Sequence, residues 1–202
     1  MKSTLKLLFC ILFIFSGFAQ AQPEATEESL SSTLSEYIGL VENMDLGGTV
    51  EYLHPKLFEM APKEMLKQAM EQAFADTSIS FRMYDGEITK IHDILTVEEG
   101  SYALVDYRFT MDMKFKLDES NQDSVDSDLE SIELTGSILA MQHGEENVKL
   151  DKDSRTLTIT ANNTMYAILE EGFDSWKFLE KKPNMMGVLD QIIPESVKEK
   201  LK

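Results

Sequence analysis

The chain has 202 residues, 36 of them acidic against 19 basic, for a formal net charge of −17. So acidic a surface repels the phosphate backbone and excludes a general nucleic-acid binder. The single cysteine, Cys10, lies close to the start, which excludes disulfides, thiolate metal ligands and a cysteine nucleophile everywhere downstream.

Residues 1–21 read as a secretory signal peptide. Lys2 and Lys6 make a charged start, an apolar run covers 7–15, and Ala19-Gln20-Ala21 offers a small-residue cleavage site. The run is far shorter than the roughly 20 apolar residues of a membrane-spanning helix, and no later stretch approaches that length. Bulky Phe9 ahead of Cys10 argues against a lipid anchor. The expectation is a secreted or periplasmic protein without a transmembrane segment. Residues 22–29 form a flexible acidic leader, 30–180 a single domain and 181–202 a helical tail.

Leu30, Leu34, Tyr37, Ile38, Val41 and Met44 recur at helical spacing and predict a first helix over 30–44. A short segment, 49–53, follows and His54-Pro55 closes it. Pro62 suits the first turn of the next helix, where its missing N–H costs nothing. That helix runs to about Phe74, with Leu66, Ala69, Met70 and Ala73 on one face. The period then changes. Residues 79–84 and 87–97 read as two strands around Asp85-Gly86, with one bent strand as the alternative.

Glu98-Glu99-Gly100 marks a hairpin turn into the clearest strand, 101–117. Its odd positions, from Ala103 and Val105 to Phe115, are apolar, while Asp106, Arg108, Asp112 and Lys114 alternate with them. Such alternation predicts one buried and one wet face. Residues 118–133 are acidic and read as a solvated loop to at least Ser127. Residues 129–143 suit either element type, but Gly144 looks like a helix C′ residue and favours an inserted helix. Strands are predicted at 148–150, 156–161, 165–170 and 176–179, and short helices at 185–193 and 194–201.

Helices followed by a long-stranded, mostly antiparallel sheet make an α+β order. The chain resembles the NTF2-like superfamily, which includes ketosteroid-isomerase-like and SnoaL-like proteins. The resemblance covers roughly residues 30–180. It rests on the first amphipathic helix, the step Tyr52-Leu53-His54-Pro55, the strand Gly100-Ser101-Tyr102-Ala103-Leu104-Val105-Asp106-Tyr107 and the closing Ser175-Trp176-Lys177-Phe178-Leu179. It implies an exported bacterial member in which N-terminal helices pack against a curved sheet, a cone with a pocket at its open end. The segment 129–143 departs from the compact family pattern, and as a helix it would lid or fill that pocket.

Asp93 is the sharpest chemical candidate. In the strand 87–97 it shares a face with Ile91, Leu95 and Val97, where desolvation would raise its pKa and suit it to act as a general base. His92 would face the other way, beside Ile88 and Ile94. The resemblance implies an oxyanion hole made by a tyrosine on the first helix and a protonated aspartate. Tyr37 matches that tyrosine, but no aspartate lies on the apolar face of 103–117. Tyr107, among apolar neighbours, is a further donor.

His54, His92 and His143 are scattered without HxH or HExxH spacing, so no metal site and no cofactor are implied. A calcium loop starting at Glu119 would place Ser124 where the tight turn requires glycine. Met185-Met186 offers a contact for a partner, and the basic tail is drawn to its own acidic domain. The reading is a non-catalytic exported binding or accessory domain for a small apolar ligand or a protein partner; a homodimer is compatible with it. Its ligand-binding candidates are Tyr37, His92 and Tyr107. The alternative is an isomerase or lyase of ketosteroid-isomerase type using Asp93 as base.

Overall fold

The computed structural model describes residues 23–75, 77–116 and 125–201, and of residues 125–128 the backbone only. Over these residues the protein is α+β, with seven α-helices and a six-stranded antiparallel sheet. The predicted signal peptide and the start of the candidate calcium loop, from Glu119 to Ser124, lie outside the described residues. None of the described helices is long and apolar enough to cross a membrane.

The first helix, α1 (Glu27–Glu42), starts three residues before the predicted boundary. Thr26 explains this: its side chain accepts the Ser29 N–H at 3.1 Å while Ser29 Oγ accepts the Thr26 N–H at 3.3 Å, a reciprocal cap. Glu27 and Glu28 complement the helix dipole in the first turn. Leu30, Leu34 and Ile38 are buried along one stripe, as the spacing predicts. After the stop at Asn43 come two one-turn helices, α2 (Leu46–Thr49) and α3 (Leu57–Met60), with a 3-10 turn (Val50–Tyr52) between them. Helix α4 (Lys63–Ala73) starts one residue later than predicted, with Pro62 as its N-cap rather than in its first turn; its predicted apolar face is not buried, and Ala69 and Ala73 are exposed.

Strand β1 (Ile79–Ile91) is one bent strand, not two. The bend sits where Asp85 has φ 51° and the register with the next strand slips between Tyr84 and Glu87, a bulge. Gly86 is required there, since a Cβ would come within 2.6 Å of Ile38 and 2.7 Å of Phe109. Its N–H donates to Glu42 Oε1 at 2.7 Å, which ties the bend to the end of α1. The predicted continuation through Asp93 fails: the strand stops at Ile91, and β2 (Leu95–Val97) is a separate piece.

Strand β3 (Gly100–Phe115) takes β1 and β2 on one edge and β5 (Thr156–Glu170) on the other. The two strands expected at 156–161 and 165–170 are this single strand, because pairing with β3 runs unbroken through Asn162 and Asn163. Strands β4 (Val148–Asp151) and β6 (Lys177–Glu180) share its far edge. Residues 129–143 are helical within α5 (Val125–His143), which begins inside the segment expected to be loop and ends before Gly144 at φ 95°.

Both faces of β3 are covered at its start. Ala103, Val105, Tyr107 and Phe109 pack with Leu30, Leu34 and Ile38 of α1 and with Trp176 and Phe178. Farther along the same face, Met111, Met113 and Phe115 join Ile132 of α5 and Leu157 and Ile159 of β5. The opposite face is wet only from Asp106 onward. Tyr102 and Leu104 are 0% and 3% exposed there, under Leu189 and Ile192 of α6 (Met186–Ile192), Ile193, and Val197 of α7 (Glu195–Lys200). The tail thus docks by apolar burial. Its Lys198 pairs at 2.7 Å with Asp190 and Glu195 of the tail itself.

Candidate functional site

Strand alternation distributes the four candidate residues. Neighbours on β3 point to opposite faces, so Tyr107 turns toward α1 and Asp106 away from it. Tyr37 and Tyr107 meet on the α1 side, whereas His92 reaches across to Asp106 on the other: His92 Nε2 lies 2.8 Å from Asp106 Oδ2. Asp93 is exposed in the break between β1 and β2, not on an apolar face. Its expected shielding by Ile91 and Leu95 required strand geometry that the chain does not adopt.

The tyrosine side is organised by a residue the sequence reading passed over, Glu180. Its carboxylate accepts the Tyr107 hydroxyl at Oε1, and Lys182 Nζ stands 3.5 Å from Oε2. Burial, and then the Glu180 charge, push both the Tyr37 and Tyr107 phenols well above the ordinary value. The Tyr37 ring lies 5.1 Å from Phe178 and 5.9 Å from Tyr52. Tyr52 donates to Glu36 at 2.9 Å; burial and that carboxylate push it up to about 12. The cluster packs aromatic rings between α1 and the sheet, Tyr52 stacked on Phe178 and Tyr37 edge-on or tilted against both. Period-two reading of the closing strand would have found Glu180, since Trp176, Phe178 and Glu180 share one face.

On the other face Asp106 Oδ1 accepts from Thr164 Oγ1 at 2.6 Å. Burial raises the Asp106 carboxyl, but the hydrogen bonds from Thr164 and His92, with the charges of His92 and Lys90, outweigh it and hold it below the ordinary value. A similar arrangement follows along the strand, where Asp112 accepts from Tyr84 at 3.1 Å and Thr158 at 2.7 Å. Both are structural polar ladders of a half-exposed sheet face.

His54 is 1% exposed. Its Nδ1 accepts the Lys56 N–H at 3.2 Å, which leaves the proton of the neutral ring on Nε2, 3.6 Å from Glu170 Oε2. Tyr102 donates to the same carboxylate at 3.1 Å. Burial lowers the His54 pKa against the opposing pull of Glu170. Among the described residues no three His, Cys, Asp or Glu side chains gather to hold a metal ion.

A groove of about 850 Å³ runs between α5 and the edge strand β4. Ala140 and Met141 form its helical wall, and Val148, Leu150 and Leu157 its floor. Gly136 lets the helix approach, since a Cβ there would stand 3.0 Å from Leu157. Leu134, Ile138 and Met141 follow one another at helical spacing on α5 and are 63%, 43% and 80% exposed, so an open apolar stripe adjoins the groove through Met141. Of the methionine pair in the tail, Met185 is half-buried against the core beneath the tail, and Met186 is 46% exposed. No family model matches the chain, and no curated protein matches it either.

Proposed function

We propose that this is an exported, non-catalytic binding domain of NTF2-like form, which takes an apolar segment of a protein partner along α5. The observation that carries the proposal is the stripe Leu134, Ile138 and Met141 beside the groove. Soluble surfaces scatter large apolar side chains singly, and an aligned row next to a cleft marks an interaction site. The NTF2-like form is supported by the packing of α1 across the antiparallel sheet. The groove is open along its length, which favours an extended partner over an enclosed small apolar ligand.

The alternative, an isomerase or lyase, gains nothing from the placement of its base: Asp93 is exposed, and His92 and Tyr107 face opposite sides of the sheet. The space where a substrate would lie against Tyr37 holds Phe178 and the hydroxyl pair of Tyr107 with Glu180.

The test uses an environment-sensitive apolar dye, bis-ANS, on the folded protein. Wild type should bind it, and Ile138→Glu with Met141→Glu should lose most of that fluorescence at an unchanged melting temperature. Equal dye binding by both proteins overturns the proposal.

A further inference from the structure

The charges around the groove specify its occupant. Helix α5 carries Asp126, Asp128, Glu130 and Glu133 and neither lysine nor arginine, and Glu145 and Glu146 follow just after Gly144. Glu130, Glu145 and Glu146 are exposed, and Glu145 lines the groove. Lys152, the one base among the residues lining the groove, is held at 2.5 Å by Glu133 and so adds no free positive charge. Lys149 lies on β4 between Val148 and Leu150, so alternation points it to the opposite face of the sheet. The apolar stripe is therefore bordered by Glu130, Glu145 and Glu146, which form no ion pair among the described residues, on a chain of net charge −17.

Geometry selects a helix over a strand. The β4 edge is only four residues long and carries an exposed lysine, a device that discourages strand addition. The groove wall from Glu133 to Gly144 extends about 16 Å at 1.5 Å per residue, the length of about three helical turns. It presents side chains rather than free main-chain groups, which is the helix-in-groove mode of recognition.

We infer that the α5–β4 groove and the stripe beside it receive a basic amphipathic helix of a partner protein, with apolar anchors at i, i+4 and i+7 packing on Ile138 and Met141 and reaching Val148 and Leu150, and lysines or arginines meeting Glu130, Glu145 and Glu146. This rests on the binding-domain reading above and narrows it. The same charges disfavour the anionic surface of a membrane, and a second copy of this chain would bring like charges together.

The experiment uses three fluorescein-labelled synthetic 14-residue helices of Leu/Lys, Leu/Gln and Leu/Glu composition, read by fluorescence anisotropy against the full mature chain. The Leu/Lys helix should bind at least about tenfold more tightly than the Leu/Gln helix, a difference of about 1.4 kcal/mol. Its affinity should fall with added salt. Ile138→Glu with Met141→Glu should weaken it about tenfold or more, as expected for loss of buried anchors. Glu145→Lys with Glu146→Lys should weaken it severalfold, and the remote control Glu98→Lys with Glu99→Lys, two exposed turn residues, should leave it unchanged, each at an unaltered melting temperature.

Equal weakening by the control pair overturns the inference, because attraction would then be to overall charge. If the Leu/Gln helix binds as well as Leu/Lys and the stripe variant abolishes both, the basic partner is wrong while the groove reading stands. Indifference of all three helices to the stripe variant overturns both. So does a dimer by light scattering that dissociates in the stripe variant, and binding to phosphatidylserine vesicles that is lost in that variant overturns the protein partner.

Discussion

Alkaline unfolding tests the interior of the protein more sharply than a core truncation does. Tyr102 and Tyr107 are 0% and 4% exposed, and each donates to a carboxylate, Glu170 and Glu180 respectively. Burial first, and the adjacent carboxylate second, raise both phenols, and Tyr37 with them. In the unfolded chain these groups ionise near pH 10. Above that the folded protein holds protons that the unfolded chain has shed. Stability is therefore full below about pH 10 and declines as pH rises toward the folded values, by at most about 1.4 kcal/mol per pH unit for each phenol. Three phenols set a ceiling of about 4 kcal/mol per unit.

Tyr107→Phe separates the contributions. Near neutral pH it removes a hydrogen bond to a charged group, at a cost of about 1–3 kcal/mol. Near pH 11 the variant should recover about 1 kcal/mol of that deficit, since it has one phenol fewer to keep protonated. Trp176, the only tryptophan, is 1% exposed and reports unfolding directly in urea titrations. A stability gap between wild type and variant that stays constant from about pH 8 to about pH 11 would refute a buried, protonated Tyr107.

Four further outcomes follow from the same structure. Leu104→Ala should cost about 2–5 kcal/mol in urea titration, although its neighbours in sequence mark that side as wet. Asp93→Asn should change stability by no more than about 0.5 kcal/mol, as an exposed position does. The Asp106 carboxyl is held low, so its contribution is present above the unfolded value near 3.9 and is lost as pH falls through the folded one. His92→Ala should raise that carboxyl pKa by NMR titration and move acid unfolding to higher pH. Removal of residues 183–202 should uncover Tyr102, Leu104, Tyr166 and Ile168 and leave the protein aggregating, which light scattering would detect.

The elements legible in the sequence are those whose pattern matches a single environment. Helix α1 has one stripe and one partner, the sheet, and its periodicity is plain. From Ala103 onward the odd positions of β3 are apolar because one face meets α1 and then α5. The even positions mislead because two environments share them: Tyr102 and Leu104 lie under the tail, while Asp106 to Lys114 face water. Alternation cannot announce a cover formed some 80 residues later in the chain. Asn162-Asn163 likewise looks like a break because local propensity disfavours a strand there. Pairing with β3 on one side overrides it.

Site residues were legible where they depended on their own element and illegible where they depended on a bend. Tyr37 and Tyr107 belong to regular elements, and their meeting follows from the packing of α1 on β3. Asp93 required β1 to continue past Ile91. The bulge at Asp85-Gly86 and a second register shift between Ile88 and Lys90 instead turn the strand, which ends before that residue. His92 is kept in place by its own N–H, which donates to Leu104 O at 2.9 Å, and by its contact with Asp106. With the ring anchored to the wet face, the next residue is left outside. The same logic explains why the open stripe on α5 was missed. Leu134, Ile138 and Met141 are as apolar as Ile132 and Leu139, and nothing short of the packed structure reveals that the core-facing side of α5 is the one carrying Ile132 and Leu139. A helix of this composition has more apolar surface than its own domain buries. That surplus is what a partner would cover.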